Sequence, residues 1–344
     1  MLIYDIFEQN IEFTKQMSLS VDLIEQQFVK SDTRNYTVVG EISIPTGRIR
    51  VGDPLAYMCT GQYSPELNRT IKSGNYPVEI AVSTTPVAST RISTARIKFN
   101  SNKAVKYQLA EPTSETAVMK CSDGDMSGFP VDAGMMAFMD SSVMNAYVNF
   151  IDKWHKENPN ANHYDDYFKD LFAQSYENLP QYQRGGGDFI HWTIPDTDYK
   201  LVMLSSGFGD GCYQCYWGID ENEDVCELTV PFVNSDIVDE ANKKFLDIWD
   251  EAEYCIVTKH IADGGNIAYM IREDISSNFQ DNGWRFYGEN EDDEYWDNSD
   301  NYVLYSIHRL ADKFDKIIPL LKSKIGTAYF CDENGEFVLD DFEE

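Results

Sequence analysis

Apolar positions recur along the 344-residue chain with two different periods, and the changes of period divide it. In Ser20-Val-Asp-Leu-Ile-Glu-Gln-Gln-Phe28, Val21, Ile24 and Phe28 keep helical spacing behind Ser20 as N-cap. Short segments of strand character follow at 36–44, 48–51, 78–82, 96–99, 105–109 and 131–139, separated by Gly, Pro, Ser and Asn turns. Between 141 and 180 the period lengthens. Val143, Tyr147, Ile151 and Trp154 suit one helix and residues 164–176 another, which predicts a helical insertion in a β-rich domain. Strands resume at 189–193, 202–206 and 228–233, with a further strand expected from Cys212 onward.

Residues 235–253 predict a linking helix, capped by Ser235 or Asp236 and carrying acids in its first turn. Strands at 254–259 and 267–272 lead to an acidic loop over 287–301. A helix over 304–324 follows, with Ile307, Leu310, Phe314, Ile317, Leu320 and Leu321 on one side and Pro319 bending or splitting it. Residues 327–339 form a hairpin in which Asn334-Gly335 favours a type I′ turn. The fold class is α+β. A β-rich, mostly antiparallel domain (1–234, helical insertion at 141–180) is joined by a helix (235–253) to a small acidic α+β domain (254–344).

Charge sharpens this division. The formal net charge is −30, and residues 236–344 hold 27 acids against 10 basic residues, about three times the charge density of the preceding 235. Such a field repels nucleic acid and anionic lipid and favours a basic protein partner docking on the second domain. No apolar run approaches the ~20 residues of a membrane span. The start, Met1-Leu-Ile-Tyr-Asp-Ile-Phe-Glu8, has no basic region of a secretory signal. Seven cysteines without framework spacing read as reduced thiols of a cytoplasmic protein.

Candidate chemistry is sparse. Gly52-Asp-Pro54, Val131-Asp-Ala-Gly134 and Gly209-Asp-Gly211 set Asp53, Asp132 and Asp210 on separate turns. Converging, they would hold a cation or serve as general acid and base; apart, they bond local backbone. Ser122-Asp-Gly-Asp-Met-Ser-Gly128 begins like a calcium loop, but Gly134 stands where its bidentate Glu belongs. Cys212 and Cys215 lack the second pair that zinc requires. Arg184-Gly-Gly-Gly-Asp188 lacks a phosphate-loop lysine and reads as a flexible connection. The five histidines have no metal-site spacing. No cofactor and no catalytic residue is expected. The run from Asp281 to Trp296 sets aromatics among acids, as in a protein-binding hot spot.

Two resemblances follow from these residues. Gly52-Asp-Pro54, Tyr76-Pro-Val-Glu79, Val131-Asp-Ala-Gly134, Ser205-Ser-Gly-Phe-Gly-Asp-Gly-Cys-Tyr213 and Tyr216-Trp-Gly218 resemble the family catalogued as domain of unknown function 4241, over about 37–233. Tyr269-Met-Ile-Arg-Glu273, Gly283-Trp-Arg-Phe286, Gly288-Glu-Asn-Glu291, Asp300-Asn301 and Gly326-Thr-Ala328 resemble the immunity protein 33 family (domain of unknown function 2185), from about 254 onward. That family tends to read Asp-Ser-Gly-Trp where this chain has Asp281-Asn-Gly-Trp284. The second resemblance implies an immunity role in bacterial polymorphic toxin systems, with a toxin domain as partner, and the charge makes a basic one the expectation. Trp284, Arg285, Glu289, Glu291, Glu294 and Trp296 are then expected at or near the contact surface. The competing expectation is a ligand-binding module or metal-assisted hydrolase using Asp53, Asp132 and Asp210.

Overall fold

The computed structural model describes residues 2–14, 18–61, 64–85, 87–113, 128–248, 254–274 and 281–340. Two compact units emerge, Ile6–Asp239 and Met1–Asp5 with Glu240–Glu344. The half calcium loop at 122–127 lies outside the described residues.

Helices α1 (Leu2–Thr14) and α2 (Val21–Gln27) open the chain, and Ser20 Oγ accepts from Leu23 N as the N-cap of α2. The first unit then lays down β1 (Arg34–Ile44), β2 (Arg48–Gly52), β3 (Glu66–Thr70), β4 (Gly74–Thr85), β5 (Ser89–Lys98), β6 (Lys106–Leu109) and β7 (Phe129–Val131). After these come β8 (Met135–Asp140), β9 (Phe189–Thr193), β10 (Lys200–Ser205), β11 (Gly211–Tyr213), β12 (Tyr216–Ile219) and β13 (Val225–Pro231). All pair antiparallel, in sheets of order β1-β4-β5-β13-β12-β6 and β3-β2-β8-β10-β9 and a two-stranded β11-β7 ladder.

Side-chain alternation sets the layers. In β10, Leu201 and Met203 point one way and Val202 and Leu204 the other, and none is more than 1% exposed, so the strand is buried on both faces. On the first face, Leu201, Met203, Ala137 and Met139 meet Val143, Tyr147, Ile151 and Phe172 of the helical insertion. That insertion is α3 (Ser141–Glu157) and α4 (Lys169–Asn178), the latter entered through a π-helical turn at Tyr164–Phe168. Helix α2 covers the outer face of the six-stranded sheet, setting Ile24 and Phe28 on Ala81 and Tyr216. Beneath it Glu227, fully buried, accepts from Lys98 Nζ (2.7 Å) and the Tyr107 hydroxyl (2.5 Å), with Arg96 at 3.7 Å. Burial alone would raise the pKa of this carboxyl, but Arg96 and Lys98 outweigh it and hold the group ionised.

Two departures concern the glycine-rich run 204–220. No single strand starts at Cys212. Strand β11 ends at Tyr213 and β12 begins at Tyr216, while Gln214 and Cys215 carry the chain from the two-stranded ladder into the six-stranded sheet. Cys212 and Cys215 therefore belong to different layers. Cys212 is disulfide-bonded, unlike the seven reduced thiols expected, whereas Cys59, Cys215, Cys226, Cys255 and Cys331 are free.

Helix α5 (Ser235–Ile248) spans the boundary at Asp239–Glu240, and the second unit continues with β14 (Tyr254–Thr258), α6 (Lys259–Ala262), β15 (Ile267–Arg272), β16 (Asp281–Gly288), α7 (Asp293–Trp296), β17 (Tyr302–Ser306), α8 (Ile307–Lys313), β18 (Ala328–Cys331) and β19 (Phe337–Leu339). The sheet order is β17-β14-β16-β15-β18-β19, with β14 and β16 parallel and the other pairs antiparallel. Cys255, Val257, Met270, Trp284 and Phe286 line one face and close on Ile261, Ile307, Leu310, Ile317 and Leu321. The architecture is thus α+β, a β-rich antiparallel unit with a helical insertion followed by a smaller α+β unit with a mixed sheet.

The helix expected over 304–324 is broken up. Tyr302-Val-Leu-Tyr305 pairs with β14 instead, α8 stops before Phe314, and Pro319 lies in a 3₁₀ turn, Asp315–Leu320. Sheet pairing overrides helical spacing where aromatic and β-branched residues supply it. The closing hairpin forms, but through a five-residue connection at 332–336 in which Gly335 alone has positive φ, +74°. Asp332 Oδ1 closes it by accepting from Asn334 N (2.9 Å) and Glu336 N (2.8 Å), where a type I′ turn would need two adjacent positive φ values.

His308 on α8 is buried, and burial lowers its pKa from 6.5 to about 4. Between those values the unfolded chain binds more protons than the folded one. The contribution is therefore complete above about 6.5 and is lost as pH falls towards 4, by up to ~1.4 kcal/mol per pH unit. Thermal melts between pH 7.5 and 4.5 are expected to show this decline, and His308→Leu to flatten it; an unchanged slope in the variant would assign it to other groups.

Candidate functional site

The three turn acids lie around one junction, with Asp53 engaged by backbone N–H groups. Asp53 follows β2 and is fully buried. Its Oδ1 accepts from Leu55 N (2.9 Å) and Ala56 N (3.0 Å), and its Oδ2 from Asp132 N (3.0 Å) and Ala133 N (2.7 Å). One carboxylate thus holds its own turn and clamps it to the turn between β7 and β8. That second turn abuts the glycine-rich run. Gly134 carbonyl accepts from Ser206 N (3.0 Å), Gly211 pairs with Val131, and a Cβ on Gly134 would lie 3.5 Å from Gly209 Cα. With φ +64° at Gly134 and +109° at Gly209, the approach is made by residues suited to left-handed backbone. Asp132 and Asp210 are exposed beside this junction. Among the described residues no group of three or more His, Cys, Asp or Glu is placed to hold a metal.

Neighbouring chemistry is similarly structural. Asp188 is 2% exposed and receives Arg184 N (2.6 Å) and the Arg184 guanidinium (2.6 Å), so the 184–188 glycine run is a pinned turn rather than a flexible connection. Cys59 donates to Leu55 carbonyl (3.1 Å), and burial, then Asp53, pushes its thiol up to about 11, far from a nucleophilic thiolate. Two histidines distant from any motif meet. His163 Nε2 donates to Leu55 carbonyl, which leaves Nδ1 to accept from His155 Nε2 at 3.1 Å. Burial, opposed by the Leu55 bond, lowers the His163 pKa.

In the second unit the six expected contact residues separate into two sets. Trp284 is fully buried in the core and donates its indole N–H to Leu321 carbonyl (3.0 Å). Arg285, 8% exposed, forms a two-pronged pair with Asp281 (2.8 and 2.7 Å) and reaches Glu273 at 3.0 Å. The Glu291 side chain is fully buried. Its Oε2 accepts from Gly288 N and the Trp296 indole, both at 2.8 Å, and its Oε1 lies 3.2 Å from His260 Nδ1. A Cβ at Gly288 would lie 2.5 Å from Glu291 Oε1, so a larger residue there would have to displace that carboxylate. Glu289 and Glu294 are exposed, and Trp296 is half-buried against Tyr287, with ring centroids 4.9 Å apart. Sequence reasoning missed Asp281 and Glu273 as partners of Arg285, and it missed His260 and Tyr287. The alternation of Trp284 and Phe286 against Arg285 and Tyr287 was the available signal, because period two sends the first pair inward.

Asp53→Asn is expected to cost about 2–4 kcal/mol of stability in urea unfolding, since an amide N–H₂ then faces backbone donors. Millimolar calcium or magnesium is expected to leave the melting temperature of the parent chain unchanged, and a clear rise would return Asp53, Asp132 and Asp210 to a cation site.

No curated protein and no solved structure matches the chain. Residues 255–340 match the family described as the Immunity protein Imm33 domain. Residues 42–230, which include the Asp53 clamp and the glycine-rich run, match the family described as Protein of unknown function (DUF4241). Because that second match spans more than half of the sequence, the chain belongs to the DUF4241 family and carries an Imm33 immunity domain behind it.

Proposed function

We propose that this protein is a bacterial, cytoplasmic immunity protein of a polymorphic toxin system, which binds a basic toxin domain through its acidic C-terminal unit and neutralises it. The Imm33 match over residues 255–340 carries the reading. The charge skew supports it, since 27 of the 58 acids fall in residues 236–344. No helix among the described residues is long and apolar enough to cross a membrane. The role is binding, not chemistry: the acids that a hydrolase would recruit are led by Asp53, whose oxygens already accept four backbone N–H bonds. Exposed carboxylates accelerate capture of a basic partner by steering, an effect that salt screens.

Co-expression of the full chain with the toxin domains encoded beside its gene is expected to restore growth that those domains arrest. Reversing the exposed Glu289 and Glu294 to Lys is expected to slow association several-fold at low salt and much less at high salt, measured by stopped-flow fluorescence. Failure to rescue growth against every neighbouring toxin domain would overturn the reading.

A further inference from the structure

Among the described residues, the apolar core of the second unit covers one face of its sheet. Its other face carries a row in cross-strand register, in which Tyr287 lies opposite Tyr269, Tyr269 opposite Phe330, and Phe330 opposite Val338. Tyr302 extends the row from β17, with its ring 6.1 Å from that of Tyr287. A sheet face left to solvent ordinarily alternates to polar residues. Here Phe330 is 42% exposed, Val338 41% and Leu304, further along the same face, 47%. Contiguous exposed apolar surface of this kind marks an interaction site, and tyrosines bring contact area at small entropic cost.

The rim of this face is anionic. The Tyr269 hydroxyl bonds the Asp340 carboxylate, Glu273 stands beside Tyr287, and the exposed Asp297 stands near Tyr302. Burial first and Asp340 second push the Tyr269 hydroxyl up to about 12, and burial, then Tyr287, does the same to Tyr302. Arg285 brings a cation to the face, but Asp281 and Glu273 already engage it. An electron-rich aromatic row within a ring of carboxylates complements Arg and Lys side chains, which stack on tyrosine faces while pairing with the rim.

Building on the immunity reading, we propose that the open face of the C-terminal sheet, centred on Tyr269, Tyr287 and Phe330, is the surface that seats a basic, arginine- or lysine-bearing segment of the toxin domain. The acidic lobe at 289–301 then steers the partner without holding it.

The test uses the full chain and a catalytically silenced copy of a toxin domain encoded beside the gene, with affinity read by calorimetry. Phe330→Ser and Val338→Lys alter exposed side chains, and circular dichroism confirms that each folds. Each is expected to weaken binding at least 10-fold and to abolish growth rescue, while Phe330→Tyr binds within about threefold of the parent. Glu289→Lys is expected to alter the association rate with little change in dissociation. Parent-like affinity in both face variants, with rescue intact, would place the contact elsewhere and leave the immunity reading standing. Absence of any binding by the parent would remove both. Conversion of a dimer to a monomer by Val338→Lys, with toxin affinity unchanged, would assign the face to a second copy and overturn the proposal.

Discussion

The first unit depends on one buried carboxylate whose two oxygens accept four backbone N–H groups from two separate turns. Asp53 makes the ends of β2 and β8 a single rigid corner, and the glycine-rich run after β10 packs onto that corner through Gly134 and Ser206. The same device recurs. Asp140 holds Thr46 N and Ser142 N, Asp220 holds Asn222 N and Asp224 N, and Asp332 closes the last hairpin. A carboxylate suits this task because it offers several lone pairs and no donor, so it satisfies N–H groups that a turn cannot pair internally.

This changes how the charge is to be understood. A formal −30 suggests a uniformly acidic exterior, yet Asp53, Asp281, Glu227 and the Glu291 side chain are buried and committed to bonds inside the fold. What remains outside is concentrated, as at Glu289 and Glu294 on the lobe and Glu273 beside the open sheet face. Acid content therefore performs two separate tasks, fastening loops within and shaping the field without. Only position in the fold tells them apart.

Much of the architecture was legible in the chain. The lengthened period over 141–180 identified the inserted helices, Ser20 identified a cap, and the turn acids and glycines lie at the junctions where strands of different layers meet. Three things were not legible. Cys212-Tyr-Gln-Cys215 reads as one strand because local alternation carries no trace of a change of sheet. Tyr302-Val-Leu-Tyr305 fits helical spacing until β14 offers it a partner. Trp284 looks like an interface anchor when it is counted among aromatics and acids, although strand alternation places it in the core beside Phe286. Composition singled out the segment 281–296 there, and the period of the strand decides which of its residues face outward.

The two edges of the C-terminal sheet are short, five residues in β17 and three in β19, and β19 runs straight into Asp340. Short, acid-flanked edges discourage the addition of strands from another chain. The open face needs a different safeguard, because apolar surface adheres to its own kind. Two copies set face to face would bring like carboxylates into opposition, so the anionic rim makes the surface self-avoiding while leaving it receptive to opposite charge. On the proposed reading, the stickiness of the patch becomes conditional on the sign of whatever approaches.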